Sequence, residues 1–248
     1  MKCNSKCHAL SHTKLNLSVS SIILPNEVDC SFPKDNCIEY FLKNKMVKLE
    51  VGKFLGAGGF GSVFEGKCFG HKIALKRIHQ NTKNPHAICE SFNAEKAAMS
   101  LRHRNIVRII AATDLTTEFN SERLVLMEYA GHRNLLSLIN DENERITESQ
   151  RLKYASDIAN ALYYIHNKNI AHLDVKPANI MVSFKNLCKL GDFGCCKVLP
   201  DSGEGSPTTP TTSYLTGTLA YRSPELLKGI YSELVAMYNF RCLHNVKF

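Results

Sequence analysis

The alternation of apolar and polar positions changes character twice along the chain. Residues 1–46 hold no sustained period. Ser, Asn, Lys and Cys mix there with the breakers Pro25 and Pro33 and with short apolar pieces such as Ile22-Ile23-Leu24, which predicts a poorly ordered extension. From Val47 a two-residue rhythm sets in. Val47-Lys48-Leu49-Glu50-Val51 reads as a half-buried strand, Ser62-Val63-Phe64-Glu65-Gly66 as a second, and residues 71–78 as a third. Phe92, Ala94, Ala97, Ala98 and Leu101 recur at helical spacing, and residues 107–112 and 123–128 read as two further strands. Residues 47–128 are therefore predicted to form a small antiparallel sheet with one helix. After Glu128 the pattern turns helical. Thr147-Glu148-Ser149-Gln150 has capping-box form. Leu152, Ala155, Ala159, Leu162 and Ile165 then share one helical face, with Ile158 alongside. Short strand-like pieces follow at 180–182 and 188–190, and the Ser, Thr, Gly and Pro of 201–213 have the composition of a mobile loop. Residues 129–229 form a second region, and 230–248 a divergent tail.

Composition narrows the class. The chain has 248 residues, 44% apolar and 22% charged, ordinary globular usage and enough length for a sizeable core. The formal charge of +8 is scattered, with no run of five or six Lys or Arg, so no nucleic-acid partner is expected. No window approaches the ~18 apolar residues of a membrane span, and the polar start leads into no signal-peptide core. A cytoplasmic protein with no membrane partner is expected, its ten cysteines reduced. Cys3, Cys7, His8 and His12 have ligand-like pair spacings. Cys7 and His8 are adjacent, however, where a zinc finger needs about 12–15 residues between its Cys and His pairs.

Chemistry concentrates in four places. Gly56-Ala57-Gly58-Gly59-Phe60-Gly61-Ser62-Val63 fits G-x-G-x-x-G-x-V, and such glycines let backbone N–H groups approach a phosphate. A strand rather than a helix follows, which argues against a dinucleotide fingerprint. Lys76 ends Ile73-Ala74-Leu75-Lys76, 15 residues after Gly61, within reach of phosphates held by the loop. It needs an acidic partner, Glu95 or alternatively Glu90. His172-Leu173-Asp174-Val175-Lys176-Pro177-Ala178-Asn179 resembles H-R-D-L-x-x-x-N, and Asp192-Phe193-Gly194 begins 13 residues after Asn179.

Together these resemble a eukaryotic protein kinase. The stretches Leu55–Val63, Thr82-Lys83-Asn84, Arg102-His103-Arg104-Asn105-Ile106-Val107-Arg108, His172–Ile180 and Asp192-Phe193-Gly194-Cys195 look like the Mos serine/threonine kinases. The resemblance spans residues 48 to about 229. It implies an α+β, bilobal kinase-like fold: an antiparallel-sheet N-lobe with one helix, and an incomplete, mainly helical C-lobe. It implies transfer of the ATP γ-phosphate to protein Ser or Thr, with Mg²⁺ as the metal. The protein substrate would be a MAP kinase kinase, in the oocyte meiotic cascade. Asp174 would accept the hydroxyl proton, Lys176 would sit near the transferred phosphate, and Lys76 would grip the others, held by Glu95. Asn179 and Asp192 would bind the metal. Leu55, Gly56, Ala57, Gly58, Gly59, Phe60, Gly61, Ser62 and Val63 would cover the nucleotide. Met127-Glu128-Tyr129-Ala130 would be the hinge, with backbone groups of Glu128 and Ala130 on adenine and Met127 behind it. Val63, Ala74 and Met181 would sandwich the base, while Met99, Ile109, His172 and Phe193 stack as a spine.

Departures from the family pattern set further expectations. Ser206-Pro207 and Thr209-Pro210 fit a mobile loop as well as proline-directed phosphosites, and Cys195 and Cys196 are expected to be packed, inert thiols. Thr216-Gly217-Thr218 and Ser223-Pro224-Glu225 close the activation segment, after which only 23 residues remain, too few for the further helices of a full kinase. Residues 233–241 resemble a segment lying beyond those helices, as an internal deletion would leave. The alternative function is accordingly a catalytically impaired fragment serving as a nucleotide-binding or protein-interaction module. Leu173 replaces the arginine that ordinarily receives an activation-loop phosphate. Assays of the phosphatase-treated and loop-phosphorylated chain should therefore differ by far less than about a hundredfold, the equivalent of about 2.7 kcal/mol off the barrier. A gain that large would contradict this reading of Leu173.

Overall fold

A computed structural model describes residues 14–17, 22–23, 47–79, 84–116, 121–199 and 218–224. The chain divides into two units. One runs to Ser100 and resumes over Arg108–Tyr129, and the other takes Leu101–Val107 and everything from Ala130 on. The architecture is α+β.

The first unit is a seven-stranded antiparallel sheet. Its strands are β1 (Lys14–Leu17), β2 (Ile22–Ile23), β3 (Val47–Ala57), β4 (Gly61–Cys68), β5 (His71–Ile78), β6 (Ile109–Thr116) and β7 (Ser121–Glu128), in the order β1-β3-β4-β5-β7-β6-β2. Phe64 lies opposite Leu75, and Leu75 opposite Leu126. These three join Leu49, Val51, Ile73, Ile110 and Leu124 in one buried cluster. Because strand side chains alternate between faces, Val63, Ala74, Lys76 and Met127 fall on the opposite face. β1 and β2 lie within residues 1–46, where no period was visible. Strands of four and two residues are too short to show one, and they form here by pairing with β3 and β6.

Helix α1 (Pro85–Ala97) starts seven residues before Phe92, the first residue at helical spacing. Its start is set by local chemistry: Asn84 accepts a bond from the Ala87 N–H at 3.1 Å, and Pro85 needs no partner at the first helical position. Ile88, Ser91, Phe92 and Glu95 form its buried side.

The second unit contains β8 (Arg133–Asn134), α2 (Leu135–Ile139), α3 (Glu148–His166), β9 (Ile170–Ala171), β10 (Ile180–Val182), β11 (Cys188–Leu190) and β12 (Lys197–Val198). Thr147 and Gln150 form the capping box at the start of α3. Its buried face matches the predicted one at Ile158, Leu162 and Ile165 but not at Leu152, Ala155 and Ala159. Tyr154, Asp157, Ile158, Ala161, Leu162 and Ile165 face inward, while Leu152 is 62% exposed and Ala159 also lies outside. Two polar residues shift the stripe. Tyr154 donates its hydroxyl to Asn186 Oδ1, and Asp157 Oδ2 accepts the Cys188 N–H at 2.9 Å and Lys153 Nζ at 3.0 Å. A count of apolar positions cannot register polar groups that are buried because they are bonded.

Residues 101–107 join the second unit through Asn105. Its amide donates to the Cys188 carbonyl at 3.0 Å, and its own carbonyl accepts the Leu190 N–H at 2.8 Å. A single division at 128/129 does not capture this excursion. Gly131 marks another close approach, since an added Cβ would lie 2.2 Å from the Val182 carbonyl oxygen. Among the described residues no helix is long and apolar enough to cross a membrane.

Candidate functional site

In the first unit the glycine run joins β3 to β4. The Gly58 N–H bonds the Gly61 carbonyl at 2.8 Å, closing the turn. Gly61 is required by packing, because a Cβ there would meet the Arg77 carbonyl oxygen at 2.6 Å. Gly56, Gly58 and Gly59 are different: an added Cβ would meet nothing within 4 Å, and none has a left-handed backbone. Nothing in the fold demands their smallness, whereas a phosphate approaching the backbone does. Leu55 and Ala57 are exposed and Phe60 half-buried, while Ser62 is buried with its Oγ 3.3 Å from His79 Nε2.

Lys76 stands on β5 between Val63 and Val125 of the neighbouring strands. Its Nζ lies 2.6 Å from Glu95 Oε1 on α1, with Lys76 6% and Glu95 0% exposed. Of the two acidic candidates it is Glu95 that reaches the lysine at this distance, while Glu90 lies 3.9 Å from His86. Met127 and Ala74 are direct neighbours on the same face. Glu128 is gripped by Arg108, the residue before β6: its N–H donates to the Arg108 carbonyl at 2.9 Å, and its carboxylate accepts the Arg108 N–H at 2.8 Å. The Glu128 N–H is therefore already committed within the first unit. Met99 and Ile109 are buried in this unit.

In the second unit Asp174 is the centre of a bonded net. Its Oδ2 accepts from Lys176 Nζ at 2.7 Å and from Asn179 Nδ2 at 2.9 Å, and its Oδ1 accepts the Thr218 N–H at 2.8 Å. Lys176 Nζ also donates to Thr218 Oγ1 at 2.6 Å. Asn179 Nδ2 reaches the Asp174 carbonyl as well, at 2.9 Å. The amide nitrogen of Asn179 is thus engaged twice, while its side-chain oxygen meets no partner among the described residues. The sequence shows Thr218 only as part of the segment's close, because nothing in its spacing reveals contact with two residues some forty positions earlier.

Asp192 follows β11 in a left-handed conformation, φ 61°. The preceding Gly191 donates its N–H to the Asn179 carbonyl at 2.9 Å, so the two candidate metal-binding residues are tied backbone to backbone. Carboxylate and amide oxygens are hard ligands that suit Mg²⁺, which keeps several waters. Among the described residues no three His, Cys, Asp or Glu side chains gather into a richer metal site.

His172 is buried beneath both loops. Its Nε2 faces the Gly191 carbonyl at 3.1 Å and its Nδ1 faces the Asp174 N–H at 3.4 Å. A carbonyl only accepts and an N–H only donates, so the ring is neutral with its proton on Nε2. Burial depresses its pKa in the same sense, against the opposing pull of Asp174 and Asp192. The ring packs edge-on against Phe193 at 5.0 Å. Leu173 is 1% exposed at φ 61°, an apolar side chain buried where the family pattern has a guanidinium. Met181 of β10 is half-buried, and Ala130 is buried. Cys195 is buried, and the half-buried Cys196 directs its thiol to the His172 carbonyl at 3.7 Å. Thr82 and Lys83, Ser206-Pro207, Thr209-Pro210, Thr216, Gly217, Glu225, the tail and the first cysteines lie outside the described residues.

Residues 49–244 match the protein kinase domain family. A serine/threonine-protein kinase mos of Patiria pectinifera is 48% identical over 176 residues, covering 71% of this chain and 49% of the relative. The proto-oncogene serine/threonine-protein kinase mos of Mus musculus is 37% identical over 199 residues, covering 75% and 57%, and the mos kinase of Xenopus laevis 37% over 179, covering 71% and 50%. The chain spans about half the length of these curated relatives.

The buried ion pair makes a prediction that involves no ligand. Lys76→Met leaves the Glu95 carboxylate buried without its 2.6 Å partner and should cost about 3–5 kcal/mol of stability in urea unfolding. Adding Glu95→Met should recover most of that loss. A single variant as stable as the parent would contradict the buried-pair account.

Proposed function

The chain belongs to the protein kinase domain family, among the Mos serine/threonine kinases, and on that premise we propose that it transfers the γ-phosphate of ATP to serine or threonine hydroxyls of a protein. The observation that carries the proposal is the net joining Asp174, Lys176, Asn179 and Thr218. Phosphoryl transfer has a loose, charge-rich transition state, so positioning and electrostatics supply most of the catalysis.

Each residue has a task. The sheet face of Val63, Ala74 and Met127 takes the adenine, with Glu128 offering its carbonyl. Ala130 and Met181 complete the base contacts assigned to the second unit. The glycine turn receives phosphate oxygens on backbone N–H groups, and Lys76 neutralises the phosphates that stay behind. Asn179 and Asp192 would hold a divalent cation, Mg²⁺, which would offset the negative charge of the phosphates. As the substrate oxygen bonds to the γ-phosphorus, Asp174 takes the hydroxyl proton. The bond from that phosphorus to the bridging oxygen breaks, and ADP leaves. Lys176 offsets charge on the transferred group. The Mos relationship extends the proposal to a MAP kinase kinase as substrate and to a cytoplasmic MAP kinase kinase kinase role in oocyte meiosis.

Thermal unfolding with and without ATP and Mg²⁺ tests the nucleotide and metal roles. At about 100 times the dissociation constant, ligand should stabilise the chain by about 2.7 kcal/mol and raise the melting temperature. Asp192→Asn should diminish the rise with Mg²⁺ present. No shift in the parent would sink the proposal, and an undiminished shift in the variant would remove Asp192 from the metal site.

A further inference from the structure

The face of the first sheet that carries Val63, Ala74, Lys76 and Met127 continues toward the start of β5. Lys72 stands two residues before Ala74 and so projects from the same face. Its Nζ lies 3.0 Å from Glu65 Oε2 on β4 and 4.0 Å from the centroid of the Tyr129 ring. Tyr129 directly follows Glu128. Three elements, β4, β5 and the chain leaving β7, therefore converge on one ammonium group.

Burial does not require this arrangement, because the Lys72 side chain is 46% exposed. An exposed lysine ordinarily stays with water, and an exposed ion pair by itself contributes little. Here the carboxylate and the ring hold the ammonium together. The hydrogen bond that Lys72 donates to Glu65 raises the Lys72 pKa and keeps the group cationic, as attraction to the ring face requires.

We infer that Lys72, anchored by Glu65 and seated over Tyr129, is a positioning residue for the nucleotide base. Glu128 is already held from the β6 side by two bonds to Arg108. The contact between Lys72 and Tyr129 restrains the next residue from the β5 side. The Glu128 carbonyl is thus fixed between two strands before any base arrives, and the ordering cost of binding is reduced. This rests on the kinase reading above. It assigns no contact with ATP to Lys72 itself.

The test uses the full chain with Lys72→Met, which keeps length and loses charge, and Lys72→Arg, which keeps a cation able to stack on the ring. Two readouts are taken: steady-state kinetics with varied ATP, and amide hydrogen exchange over residues 126–130 without nucleotide. Lys72→Met should raise the KM for ATP about three- to fivefold, leave kcat within about a factor of two, and speed exchange at Glu128 and Tyr129. Lys72→Arg should restore both. An unchanged KM, a failure of Arg to rescue, or a joint fall of kcat and melting temperature would overturn the positioning role. Unchanged exchange in Lys72→Met would overturn the restraint itself, whatever the kinetics. Failure of the parent chain to bind ATP is a distinct result: it sinks the kinase reading and the nucleotide role with it, while exchange still decides whether Lys72 holds Tyr129.

Discussion

A carboxylate taken out of water must be met by donors, and the second unit is organised around meeting this need at Asp174. Its three side-chain bonds come from Lys176, Asn179 and the backbone of Thr218. Each donor is constrained in turn. Asn179 is held by two bonds from its amide nitrogen to Asp174. Lys176 is fixed between Asp174 and the Thr218 hydroxyl. Residues 218–224 are drawn back onto the loop by Thr218. Beneath them a neutral His172 satisfies one backbone group from each loop, so it joins the Asp174 and Asp192 segments without adding charge.

The first unit solves the same problem with one ion pair. Lys76 is brought to the non-core face by strand alternation, and Glu95 to the inner side of α1 by its helical position beside Ile88, Ser91 and Phe92. At 2.6 Å the pair is buried, and its net contribution to stability is modest because desolvation offsets attraction. It fixes the placement of a charge more than it adds stability. The same sheet separates tasks cleanly: one face buries Phe64, Leu75 and Leu126, and the other carries Val63, Ala74, Lys76, Met127 and, at its end, Lys72.

Much of this was legible in the sequence for a physical reason. Strand alternation is local, so β3, β4, β5 and β7 were visible as patterns. The glycine run, Lys76, Asp174, Asn179 and Asp192 were visible because their spacing in the chain follows from the elements between them. Contacts made across the chain were not. Thr218 meets Asp174 from 44 residues away, and Asn105 meets Cys188 from 83. Tyr154 and Asp157 are buried through hydrogen bonds that an apolar count passes over. β1 and β2 depend on their neighbours to be strands at all. Glu95 was separable from Glu90 only once α1 had been placed against β5.

In the proposed reaction, Asp174 and the residues bonded to it act on the transferred phosphate. The most direct measurement is transfer of labelled γ-phosphate from ATP to a serine- and threonine-containing protein by the full chain, beside an Asp174→Asn variant shown by its melting profile to be folded. The account predicts labelled phosphoserine or phosphothreonine from the parent and a fall of at least about a hundredfold in the variant, the lower range for loss of a general base. ATP binding without transfer by the parent, or transfer undiminished in Asp174→Asn, would contradict it.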